Sequence, residues 1–140
     1  MASSYAKSIA VGLMSVHTAL ACSAALAAQP CEAVDTNLSP ARKQEYAVLV
    51  AGALTTKIKP AAVKFQNFMG SGAWSAVYVS TPVSDDGVFF FQDVNGKKTF
   101  KEVWGGWADP SEKPSLVKWG KKLGVPDDLA SCFADVVTRH

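Results

Sequence analysis

Four consecutive large apolar residues, Val88-Phe89-Phe90-Phe91, narrow the folds open to this chain more than any other feature. A strand sends alternate side chains to opposite faces, so a run that is apolar at every position has to be covered on both sides. Asn95-Gly96 follows closely. Both residues accept positive φ, which a tight hairpin turn requires. The run therefore reads as a central strand that folds back through a hairpin. Two registers are open. A two-residue loop sets Phe91 opposite Phe100 and Asp93 opposite Lys98. A three-residue loop with Gly96 left-handed sets Phe90 opposite Phe100 and Asp93 opposite Lys97. One residue of slip changes which face is buried.

Upstream, Val63 and Phe65 alternate with Lys64 and Gln66, the period of a half-buried strand. Gly70-Ser71-Gly72 breaks that run. Trp74, Ala76 and Tyr78 then share one face, with Ser75, Val77 and Val79 on the other. Pro82 cannot donate to a ladder and belongs at or beyond the strand's end. Ser84-Asp85-Asp86-Gly87 is a turn by composition. Residues 62–107 thus predict a three- or four-stranded antiparallel meander.

Helices flank it. Ser39-Pro40 has the form of an N-cap followed by Pro at the first helical position. The helix is expected to run to about Thr56, with an apolar stripe of Tyr46, Leu49, Val50, Ala53 and Leu54. After the meander, Pro110 and Pro114 mark a loop. A short helix is predicted over 115–123, with Leu116, Trp119 and Leu123 on one face and Gly124 as its stop. Pro126 opens a last helix, on which Leu129, Cys132, Phe133 and Val136 follow the i, i+3, i+4, i+7 pattern. The fold class is α+β: an N-terminal helix packed on the meander, then two short C-terminal helices.

The chain has 140 residues, and its first part reads as an address rather than as structure. Lys7 precedes an apolar run over 9–26, no acidic residue comes before Glu32, and Ala25-Leu26-Ala27 supplies the small residues of a cleavage site. The expectation is a signal peptide over 1–27 and a single α+β domain over 28–140, periplasmic or secreted. A membrane anchor is the alternative, weakened by Gly12, Ser15, His17, Thr18 and Ser23. A second alternative is lipidation at Cys22, after Ala19-Leu20-Ala21, although Ala replaces the usual Leu at −3.

Removing Lys7 with the leader leaves 13 of the 14 Lys and Arg against 12 Asp and Glu. That balance lacks the electrostatic footprint of a nucleic-acid binder or of a protein that sits on an acidic membrane. It also leaves Cys31 and Cys132 as the remaining cysteines. Export permits a disulfide, and the pair is predicted to be joined. The closed loop of about 100 residues would be worth about 4–5 kcal/mol in the chain-entropy model. Two buried free thiols are the alternative, while a redox site is disfavoured because no C-x-x-C occurs. Asn37-Leu38-Ser39 is a formal glycosylation sequon, relevant only to eukaryotic export.

Gly72-Ala73-Trp74-Ser75-Ala76-Val77, and Val88-Phe89-Phe90-Phe91 leading into Asn95-Gly96-Lys97, resemble the cystatin-like and NTF2-like group of small exported α+β domains. The likeness covers about half of the chain and lies at the level of fold. The chain departs from the group in its two further helices and its disulfide. Such folds host binders, inhibitors and a few enzymes, so the resemblance does not decide function.

The chemistry is sparse. His17 lies in the leader and His140 is the last residue, which leaves no ordered histidine for Ser-His or Cys-His catalysis or for the usual zinc sites. No P-loop and no G-x-G-x-x-G occurs. Asp85-Asp86 could hold calcium weakly or act as acid and base, but a solvated turn is the simpler reading. Glu102 and Asp109 could form a glycosidase-like pair. Lys113, Lys118, Lys121 and Lys122 could form a docking patch for an acidic partner, or simply a solvated helix face.

The most distinctive local feature is Trp104-Gly105-Gly106-Trp107. Its glycines would allow close approach and its indoles would offer an anchoring surface; the alternative is a strand end with Trp104 in the core. The expected function is a non-enzymatic, exported binding protein, inhibitor- or immunity-like, acting on a protein or envelope partner through this corner. No cofactor, metal, nucleic acid or membrane span after processing is expected. The alternative is an NTF2-like pocket for a small apolar or sugar ligand, lined by Tyr78, Phe89 and Phe91 together with Trp104.

Overall fold

The computed structural model describes residues 29–139. The leader expected over 1–27, with its expected cleavage site and Cys22, lies outside them, as does His140. Strands β1 (Lys64–Ser71), β2 (Trp74–Thr81), β3 (Ser84–Val94) and β4 (Lys97–Gly105) form one antiparallel sheet in the order β1-β2-β3-β4. Helix α1 (Pro40–Ala53) precedes the sheet, and α2 (Lys113–Leu123) and α3 (Asp127–Val137) follow it. This is the expected α+β plan. No helix among the described residues is long and apolar enough to cross a membrane.

The aromatic strand explains the layering. Phe89 and Phe91 point to one side, where they meet Tyr46, Val50, Val63, Phe68, Val77 and Val79 beneath α1. Val88 and Phe90 point to the other, into a core with Trp74, Ala76, Leu129 and Phe133 beneath α2 and α3. Val88 to Phe91 are all buried, so β3 is covered on both sides as its composition requires. The result is three layers: helix, sheet, helix pair.

Local chemistry sets the element ends. Ser39 Oγ accepts the Arg42 backbone N–H at 3.2 Å, and Pro40 opens the helix. The helix ends at Ala53, three residues short of Thr56. Leu54 turns extended, and in that conformation it packs with Ile58 against the core beneath α1. Asn95 and Gly96 both have positive φ, 56° and 80°. They form the two-residue loop, with Phe91 opposite Phe100 and Asp93 opposite Lys98. Gly124, at φ 104°, ends α2, while the Val125 N–H reaches back to the Gly120 carbonyl at 3.2 Å.

Ser84-Asp85-Asp86-Gly87 is not a turn. The chain reverses at Pro82-Val83, Thr81 pairs with Ser84, and the four residues begin β3. A bulge follows at once, because Val79 pairs with Gly87. Gly87 serves proximity rather than reversal: a Cβ there would stand 3.1 Å from the Trp104 carbonyl oxygen.

Cys31 and Cys132 are joined, with Cα atoms 4.5 Å apart. The bond fastens the segment before α1 to α3. The same segment touches the sheet through a bridge between Asp35 and Gly70, whose two N–H···O bonds measure 2.8 and 2.9 Å.

Candidate functional site

The end of β4 carries Trp104-Gly105-Gly106-Trp107, and the structure divides its two indoles. Trp104 lies opposite Val88 and turns inward, edge-on to Phe133 at 5.5 Å. Trp107 is 71% exposed. Between them the chain leaves the sheet at Gly106, where φ is 99°. That left-handed geometry is open to glycine and strained for other residues. The turn is fastened to the neighbouring strands, because the Gly106 N–H donates to the Asp86 carbonyl at 2.7 Å and the Tyr78 hydroxyl donates to the Gly106 carbonyl at 3.3 Å.

Trp107 forms one wall of a cleft of about 550 Å³ lined also by Tyr78, Ser84, Asp85, Asp86 and Gly106. The bulge at the start of β3 delivers both carboxylates to this place. The Asp86 carboxylate accepts from the Gln66 side-chain amide at 2.8 Å, and the same amide donates to Ser80 Oγ at 3.0 Å. One carboxylate is thereby oriented from two strands away. Burial, with the neighbouring charge of Asp86, pushes the Tyr78 hydroxyl above its usual pKa, so the phenol stays neutral. The cleft combines aromatic faces, hydrogen-bond acceptors and negative charge, and among the described residues no Lys, Arg or His lines it.

The other expected residues are scattered. Tyr78 lies on the α2 and α3 side of the sheet, whereas Phe89 and Phe91 lie on the α1 side. The expected pocket of Tyr78, Phe89 and Phe91 is therefore not formed. Phe91 is fully buried and Phe89 nearly so, and Tyr46 and Phe100 pack against them. Of the two phenylalanines, Phe89 borders an open space, a shallow groove of about 360 Å³ shared with Leu54, Phe100 and Val103.

Glu102 and Asp109 are both engaged in backbone capping. The Glu102 carboxylate accepts the Val103 N–H at 3.0 Å, and Asp109 caps the following turn through the Ser111 N–H at 2.9 Å. Of the four lysines, Lys113 pairs with Asp135 at 3.0 Å and Lys121 with Asp127 at 3.5 Å, which spends part of that charge within the helix pair. Among the described residues no group of His, Cys, Asp and Glu is placed to hold a metal ion.

A second polar cleft, of about 480 Å³, opens where α1 meets the β1–β2 hairpin. Its groups satisfy one another. Arg42 bonds Asp35 at 2.5 Å and covers the Phe68 ring, Lys98 bonds Glu45 at 2.6 Å, and the buried Tyr46 hydroxyl donates to Ser75 Oγ at 2.7 Å. The Arg42 hydrogen bond holds the Asp35 carboxyl below its usual pKa. This network ties α1 to the sheet.

Sequence reasoning singled out Trp107 and, separately, Asp85-Asp86, but it assigned the carboxylates to a solvated turn and did not bring them beside Trp107. The available signal was Pro82, whose place at the strand's end marks the reversal two residues before Ser84. Comparison with family models, curated proteins and solved structures finds no match for this chain.

Proposed function

We propose that this chain is a non-catalytic exported domain that binds another protein or an envelope component, as an inhibitor or immunity protein does, and that the partner docks on the corner formed by Trp107. The observation that carries this reading is the division of the tryptophans. Trp74 is buried, and Trp104 and Trp119 pack against the core. Trp107 alone among them stands largely in solvent, at the rim of a cleft. Tryptophan, with tyrosine and arginine, is enriched among the few residues that carry most of the binding energy at interfaces. The helix laid across a meander is also the arrangement on which the proposed likeness to cystatin-like and NTF2-like domains rests, and the second helical layer departs from it.

The test is capture from a periplasmic or secreted extract by wild type and by Trp107→Ala, with circular dichroism to show that both are folded. Loss of a captured partner in the folded variant is the expected result. Equal capture removes the corner from the interface.

A second reading rests on the groove beside Phe89, which falls in the size range of small-ligand sites. An apolar ligand there would raise the melting temperature of wild type and not of Phe100→Asp. A glycan or metabolite panel that leaves wild type unchanged would end this reading.

A further inference from the structure

We infer that the cleft beside Trp107 receives a cationic side chain of the partner, an arginine above all. The inference rests on the binding function proposed above and names the chemistry of its partner. Asp85 and Asp86 bring two carboxylates to a cleft whose walls are Tyr78 and Trp107, and among the described residues no cation lines it. The protein as a whole is slightly basic, so this is a local reversal of sign. Such a pairing of acceptors with π-faces matches a guanidinium in both of its modes: it stacks on an indole face, and its N–H fork donates to carboxylates. The carboxylates take only hydrogen-bond donors, and the Tyr78 hydroxyl proton already points at the Gly106 carbonyl. An anion finds no positive partner among the described residues of the cleft, and an apolar group would strip water from Asp86, which is already half-buried.

The cleft is also built rather than incidental. Gln66 orients Asp86, Asp86 holds Gly106, and Gly106 places Trp107. Binding would therefore order few new groups, which favours a fixed docking point. The outer edge of β4 beyond this corner is a poorer place for an added strand. Its Lys97, Lys98 and Lys101, its bulge, and the Glu102 cap on the Val103 N–H are the devices by which sheet edges resist pairing.

The experiment follows the Trp107 indole N–H in ¹H–¹⁵N spectra at physiological salt, the signal being assigned by its loss in Trp107→Phe. Three probes are titrated: acetyl-Gly-Arg-Gly-amide, the same peptide with neutral citrulline in place of arginine, and methyl glucoside. The expected result is that the arginine peptide shifts the signal at a concentration about tenfold lower than the citrulline peptide, a difference of about 1.4 kcal/mol. In a folded D85N/D86N variant that preference disappears. Equal shifts with arginine and citrulline overturn the inference, as does a glucoside that binds as well as the arginine peptide, or no shift with any probe.

The underlying reading fails separately. If partner capture is lost in Trp107→Ala but unchanged in D85N/D86N, the binding corner stands and its cationic occupant does not. If Trp107→Ala captures as wild type does, the corner itself is wrong.

Discussion

Trp104 and Trp107 stand three residues apart in different environments, one half-buried and one largely in solvent, and substitution should expose the difference. Trp104 is half-buried and touches Phe133 edge-on. Truncating it removes an aromatic contact and opens space beneath α3, so Trp104→Ala should destabilise by about 3 kcal/mol. Trp107, at 71% exposure, should change stability by less than about 0.5–1 kcal/mol when truncated. Urea denaturation followed by circular dichroism checks both values. Comparable losses at the two positions would mean that Trp107 belongs to the core, and the proposed interface would lose its anchor. At this scale much was legible in the sequence. Ser39 caps, Asn95-Gly96 turns, and Cys132 faces inward because single side chains or dipeptides carry those signals. What sequence reading could not reach was parity across the β2–β3 reversal. A turn centred on Asp85-Asp86 would set Tyr78 opposite Asp93 and on the face of Phe89 and Phe91, which is the pocket the sequence led us to expect. The reversal at Pro82-Val83, followed by one bulge, sets Tyr78 opposite Val88 instead. The register is thus displaced by five residues, an odd number, which sets Tyr78 on the other face of the sheet from Phe89 and Phe91 and brings the two carboxylates beside it.

Among the elements, α2 and α3 pack closely at Gly120. A Cβ there would lie 3.1 Å from both the Ala130 Cβ and the Val125 Cγ2. Intrinsic propensity favours alanine over glycine in a helix by about 1 kcal/mol. Steric crowding opposes it, and in a packed core such crowding costs about 1–3 kcal/mol. Relief requires one neighbour to move. Val125 follows directly on the left-handed Gly124 and is held by its N–H bond to the Gly120 carbonyl. Ala130 belongs to α3, which is fixed by Cys132 two residues on and by the buried ring of Phe133. Neither neighbour yields easily, so Gly120→Ala should be net destabilising by about 1 kcal/mol, read as a lower urea midpoint. A rise in the midpoint would show that the helix pair can slide and that α3 is held less firmly than its disulfide and ring contacts imply. Helix periodicity located both helices in the sequence, but the contact between them was hidden, because a glycine at a helix crossing looks the same as one that merely weakens a helix.

The molecule as a whole is three layers on one sheet, and its two cores share no side chain because β3 contributes alternate residues to each. Sequential elements bind the layers locally: each strand pairs with the next in the chain. The connection that spans the whole chain is the disulfide, which joins residues 101 apart. It fixes the N-terminal segment on α3, and from there the Asp35–Gly70 bridge and α1 carry the chain to the opposite face of the sheet. Cross-linking the ends of so long a loop removes entropy from the unfolded chain worth about 4–5 kcal/mol. A domain of this size is stable by about 5–15 kcal/mol in all, so the bond stands between a robust fold and a marginal one. Reduction under native conditions should leave the sheet assembled, since its pairings are local, but lower the urea midpoint by about 3 M for a slope near 1.5 kcal/mol/M. The Cys31→Ala/Cys132→Ala double variant should behave as the reduced protein does, apart from the small loss of buried sulfur. An unchanged midpoint on reduction would mean that the unfolded chain is already held compact by other contacts. A midpoint that falls while the slope rises would show instead that the cross-link acts by limiting how far the unfolded chain expands. The expected result also bears on export, because a domain that loses this much stability when reduced folds securely only where the bond can form.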